Sequence, residues 1–236
     1  IPRDVDKSIN YLTLAANQNY PPALNNLGSI YHNGHYVTKD IYKAIHYYSL
    51  AADSKYSTSL YNLGLIYSDE KYDKKDINKA IHYYQLASDL NYPEAQFNLG
   101  CVYFYGIDIK SDINKAIYYF ELAANQNEHN ALNALGYIYL YGLYVPHDIK
   151  KAVHYFPLSS YKNNPSSLFE LGKIYHFGIH DGVNIKKAVY YYSLAAEKRH
   201  REAQIMLAIF YTIGKDVQKD IDKAIHYYKE ASNLND

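Results

Sequence analysis

Three kinds of side chain recur in this sequence often enough to do chemistry. Histidine stands at His46, His82, His154 and His226, and lysine at Lys7, Lys43, Lys79, Lys115, Lys151, Lys187 and Lys223. Tyrosine comes in doublets such as Tyr47–Tyr48 and Tyr83–Tyr84. A convergent histidine set ligates zinc, a lysine row holds an acidic partner, and paired aromatic rings stack on a ligand. Each of these needs its own geometry, and the spacing of the residues decides which geometry is available.

The spacing is 36 residues throughout. It links Gly28, Gly64, Gly100, Gly136 and Gly172, with Ala208 at the next step, and it links Ala44, Ala80, Ala116, Ala152, Ala188 and Ala224. It also links Tyr31, Tyr67, Tyr103, Tyr139, Tyr175 and Tyr211, with no insertion to disturb the register. A fixed period in this range marks a stacked-repeat architecture.

Each unit predicts two helices, so the fold class is all-α. The first helices start near 21, 57, 93, 129, 165 and 201, with Ala23, Leu27, Ile30 and Tyr31 at helical spacing in the first copy. Pro21, Pro93 and Pro165 suit a first turn, and Gly34, Gly106, Gly142, Gly178 and Gly214 suit a helix end. The second helix carries Ile41, Ala44, Ile45, Tyr48 and Ala51 inward behind a cap residue. That cap reads Asp4, Asp40, Asp76, Asp112, Asp148, Asn184 and Asp220, all able to accept free first-turn N–H groups. Asn19, Asn91, Asn127 and Asn163 are expected to close it in the left-handed conformation. An orphan second helix over 4–18 and six pairs give thirteen helices in a single array over 1–236. Small residues at 28 and 44 let the paired axes approach closely, and the pairs bury their faces by stacking on one another. One position departs from this plan: Pro157, inside the second helix of copy four, predicts a kink or a break near Phe156.

With the helices placed, the chemistry narrows. Equivalent positions in stacked repeats lie on a line about 10 Å apart, so the four histidines cannot gather around an ion, and position 46 faces outward. Each lysine follows a capping Asp or Asn by three residues and precedes a tyrosine by four, over which its stem can lie. The tyrosine columns of 31, 47 and 48 hold more than half of the 31 tyrosines and share a face with Leu and Ala, which makes them packing residues. Walker, dinucleotide-binding, His-Glu-x-x-His and Gly-x-Ser-x-Gly motifs are missing. Cys101 shares its column with Ser29, Leu65, Tyr137, Lys173 and Ile209, company too varied to hold a nucleophile. The expectation is a protein with no catalytic residues, no metal site and no cofactor.

The motif A-x-x-x-L-G-x-I-Y, followed by G-x-x-V-x-x-D-I-x-K-A-I-x-Y-Y-x-x-A-A, resembles the Sel-like repeat family, a branch of the tetratricopeptide superfamily. Tetratricopeptide repeats have about 34 residues; the 36-residue period and the Gly-x-x-Val-x-x-Asp connection favour the Sel-like branch. The resemblance runs from Asp4 to Leu234. It implies a right-handed superhelical solenoid that acts as an adaptor between proteins. The disulfide-bridged secreted bacterial members carry regular cysteine pairs, whereas this chain has only Cys101.

Composition agrees with a protein-binding role. The 236 residues are 48% apolar and 20% charged with a formal net charge of zero, which removes the electrostatic argument for nucleic acid or an anionic membrane. The single cysteine and the lack of Asn-x-Ser/Thr sequons favour the cytoplasm. The start at Ile1 reads as a segment of something longer.

By resemblance to tetratricopeptide arrays, the first helices line a concave groove, where positions 22, 26, 29 and 33 form a variable stripe. Asn26, Asn62 and Asn98 give this stripe an amide ladder, able to bond either a peptide backbone or a neighbouring helix. Tyr105 follows, and then an apolar half of Tyr137, Tyr141, Phe177, Met206, Ile209 and Ile213. The expected function is a non-catalytic scaffold that binds a protein or peptide segment. The alternatives are the regulatory repeats of a larger enzyme, such as a protein kinase, and an adaptor in ER-associated degradation.

Overall fold

The computed structural model describes residues 5–160 and 164–233. Among these residues there are thirteen helices and no strand. They divide into two compact units, Ile1–Gln126 and Asn127–Asp236. The first holds α1 (Val5–Ala16), α2 (Pro21–Asn33), α3 (Ile41–Asp53), α4 (Ser57–Ser68), α5 (Ile77–Asp89), α6 (Pro93–Tyr105) and α7 (Ile113–Ala124). The second holds α8 (His129–Tyr141), α9 (Ile149–Ser160), α10 (Pro165–Phe177), α11 (Ile185–Glu197), α12 (Arg201–Ile213) and α13 (Ile221–Ser232).

Local chemistry fixes the helix ends. The side chains of Asp40, Asp76, Asp112, Asp148, Asn184 and Asp220 each accept the backbone N–H three residues on, at 3.0–3.1 Å. Five first helices end on a left-handed glycine, as at Gly34 (φ 69°). In the second copy Glu70 takes that column, and α4 stops one residue early at Ser68. Asn19, Asn91 and Asn127 are left-handed as expected, and Lys55 and Arg199 adopt the same conformation in their columns. Asp4 and Asn163 lie outside the described residues.

The tyrosine doublet has a division of labour. Its second ring lies on the glycine of the paired helix: Tyr48 on Gly28, Tyr84 on Gly64, Phe120 on Gly100, Phe156 on Gly136 and Tyr192 on Gly172. A Cβ on Gly28 would stand 2.6 Å from Tyr48 Cδ1, so only glycine admits the ring. Its first ring stacks on the tyrosine near the end of the first helix. Tyr31–Tyr47, Tyr67–Tyr83, Tyr103–Tyr119, Tyr139–Tyr155, Tyr175–Tyr191 and Tyr211–Tyr227 are all within 10° of parallel, with centroids at 5.6–6.0 Å.

The lysine column completes the stack, though not on the ring expected. Lys43 Nζ sits 5.0 Å from the centroid of Tyr31, on the first helix, rather than over Tyr47 four residues along. The same contact recurs from Lys79, Lys115, Lys151, Lys187 and Lys223. The ammonium group has swung across the pair to the face of the ring that Tyr47 leaves open.

Copy four contains the other departure. The helix α9 runs through Pro157 to Ser160, so it does not break at Phe156. Pro157 is exposed and lies in the last turn, and Phe156 stays buried on Gly136.

Candidate protein-binding surface

In the first unit the amide ladder is only partly open. Asn26 is exposed. Asn62 Nδ2 donates to Asn25 Oδ1 at 3.1 Å, and the same oxygen accepts from Ser59 Oγ at 3.0 Å. Asn98 is half-buried, close to the Tyr84 hydroxyl, which lies 3.0 Å from Ser68 Oγ and whose pKa burial pushes up to about 12. One of the three amides, Asn62, therefore bonds within the fold. Tyr105, the last residue of α6, is 71% exposed and rests edge-on against Phe104.

The second unit places its apolar residues in two groups. Tyr137 and Tyr141 stack on each other at 6.0 Å near the end of α8. Burial pushes the Tyr137 hydroxyl up to about 12. The Tyr141 hydroxyl donates to Glu170 Oε2 at 3.1 Å, and Lys173 Nζ donates to both Glu170 oxygens at 3.1 and 2.9 Å. Glu170 is buried, and the lysine and the hydroxyl satisfy its charge.

Met206, Ile209 and Ile213 form the second group. They line a cleft of about 320 Å³ with His176, Val183, Ile185, Phe210, Lys215 and Asp216. Phe177 is 62% exposed beside this cleft, stacked on His176 at 4.5 Å. Tyr141, Phe177 and Ile213 each precede the glycine that ends a first helix, and each is exposed.

Sequence reasoning missed Glu170, His176 and Phe210. The signal for Glu170 was present, since it stands in the column of Asn26, Asn62, Asn98 and Met206 and is its only charge. His46, His82, His154 and His226 are exposed, each against the tyrosine that follows it. Among the described residues no group of three or more His, Cys, Asp or Glu is placed to hold a metal ion, and no helix is long and apolar enough to cross a membrane.

Comparison with known proteins follows the same periodicity. The Sel1 repeat model matches residues 1–20, 21–56, 57–92, 93–128, 129–164, 165–200 and 201–236. A Sel1 repeat protein from Oxalobacter formigenes is 27% identical, with a TM-score of 0.76 over 96% of this chain and 99% of that one. The protective antigen c5321 of uropathogenic Escherichia coli, which displays an SLR fold, is 25% identical with a TM-score of 0.58, over 99% of this chain and 58% of its own. A putative Sel1 repeat protein from Klebsiella pneumoniae shares the fold at 20% identity and a TM-score of 0.53, over 84% and 97% of the two chains. No curated protein matches the chain. The repeat matches span all its residues and the solved relatives are helical-repeat solenoids, so the chain belongs to the Sel1 repeat family.

Proposed function

We propose that this chain is a non-catalytic scaffold that captures a protein or peptide segment on the exposed ends of its first helices, in a cytoplasmic setting. Sel1 repeat proteins in general mediate protein–protein interaction, and the fold is typically non-catalytic. The observation that carries the reading here is the row of exposed Tyr141, Phe177 and Ile213 on the second unit. Packing within the pairs does not require these side chains, and large apolar groups left in water mark interaction sites. Asn26 and Tyr105 offer a more polar surface on the first unit.

Charge substitutions at Tyr141 and Ile209 test it. In a pull-down, Tyr141→Glu and Ile209→Asp should abolish partner capture while the circular dichroism spectrum stays helical. Loss of helicity in both variants would make these residues core and overturn the assignment.

A further inference from the structure

The loop between α4 and α5 carries a ring, Tyr72, that the loop between α12 and α13 lacks. Tyr72 turns inward in the first unit and packs on the cluster of Tyr48, Leu63 and Ile66. Its hydroxyl lies 3.1 Å from His32 Nε2, its ring meets His32 edge-on at 5.8 Å, and Lys39 Nζ donates to the hydroxyl at 3.1 Å. Four steps of 36 carry His32 to His176, Lys39 to Val183, Ile66 to Phe210 and Tyr72 to Asp216. All four of these counterparts line the cleft of the second unit. Phe210, in the column of Ile66, sets a ring 4.9 Å from His176, and the cleft beside it remains where Tyr72 stands in the first unit.

The cause is local. With Glu70 in the glycine column, α4 stops at Ser68, and the Tyr72 N–H bonds back to the Asp69 carbonyl at 3.3 Å. In the last pair Gly214 ends α12, and Asp216 is left-handed at φ 65°. A short carboxylate there cannot fill an aromatic seat.

We propose that the cleft between α10 and α12 receives one aromatic side chain, tyrosine or phenylalanine, from a protein partner, in the seat that Tyr72 occupies internally in the first unit. The inference rests on the scaffold reading above and narrows it. About 320 Å³ is at the small end of ligand sites, which run to ~1,000 Å³, and suits one side chain better than a cofactor. Lys215 and Asp216 contribute one charge of each sign, and burial holds His176 below the usual histidine range, so the lining favours an uncharged ring. The cleft is continuous with the exposed Phe177 stacked on His176, so an entering ring meets aromatic surface on arrival.

Met206 is the single methionine of the chain, which makes its methyl group a reporter inside the cleft. The whole chain, labelled with [13C-methyl]methionine, is titrated with N-acetyl-tyrosinamide, N-acetyl-phenylalaninamide and N-acetyl-alaninamide. The two aromatic amides should give a saturable shift of the methyl resonance, and the alanine amide should give none. Ile213→Asp, at a lining residue 63% exposed, should weaken that binding about tenfold or more, whereas Tyr11→Ala, at an exposed residue of the first unit, should keep the response. No saturable shift with either aromatic amide, or an unchanged response in Ile213→Asp, would overturn the proposal. A silent methyl in a chain that still captures its partner removes the cleft and leaves the scaffold reading standing. A responsive methyl in a chain that captures nothing removes the scaffold reading and keeps the seat.

Discussion

In α5, Tyr84 lies buried on Gly64, whereas in α13 its counterpart Tyr228 is 45% exposed beside Ala208. The two columns differ in two respects. The methyl group of Ala208 stands where the other pairs leave a gap for the ring. The ring of Tyr84 is also covered from beyond by Ala95, Leu99 and Val102, and the described residues place no helix beyond α13. At Tyr84 a glycine seat and a cover come together, and the residue type alone does not confer the role.

Truncating the two rings should separate the two cases most widely. Tyr84→Ala is expected to cost about 3–5 kcal/mol in urea unfolding, the range for emptying an aromatic core site. Tyr228→Ala should stay within about 0.5 kcal/mol, as surface changes do. Equal losses would mean that Tyr228 is core in solution.

Exchanging the seats comes next in size. Gly64→Ala pushes a methyl into the Tyr84 ring and should cost about 1–3 kcal/mol, the usual overpacking penalty. Ala208→Gly should cost about 1 kcal/mol from helix propensity alone, because no covered ring waits to fill the gap. A gain in melting temperature for Ala208→Gly would show that the seat matters and the cover does not.

The last comparison is silent at neutral pH. Tyr48 and Tyr84 are pushed up to about 12 by burial, above the usual value of 10. Above pH 10 the unfolded chain releases protons that these buried hydroxyls retain, so stability should fall as pH rises through that window. Tyr84→Phe, which copies Phe120, should flatten that fall in a melting-temperature series run from pH 9 upward. An equally steep fall in the variant would assign it to other groups.

Much of this organisation was legible in the sequence, because contacts made within one pair repeat at the period. Gly28, Tyr48 and the Asp40 cap could all be placed from their columns. What the columns did not give was side-chain reach. Lys43 was expected over Tyr47 on its own helix and instead crosses to Tyr31, since that ring offers the open face. Asn62 reads as a groove amide until Asn25 is seen to bond it, a contact between copies that periodicity within one copy does not reveal. The cleft was missed for the same reason: it follows from comparing Tyr72 with Asp216 in a column that shows no pattern.

The ring-on-glycine contact has a consequence for how such a chain is inherited. Gly28 and Tyr48 belong to one repeat, so duplication or deletion of a whole repeat copies or removes the lock intact. The contact of Tyr72 with His32 joins two repeats, and the same event would part the two residues. Contacts that travel whole with the unit can stay uniform along the array while the number of units changes. Contacts that straddle the boundary are free to diverge, which is where the recognition surface of such an array is expected to differ from copy to copy.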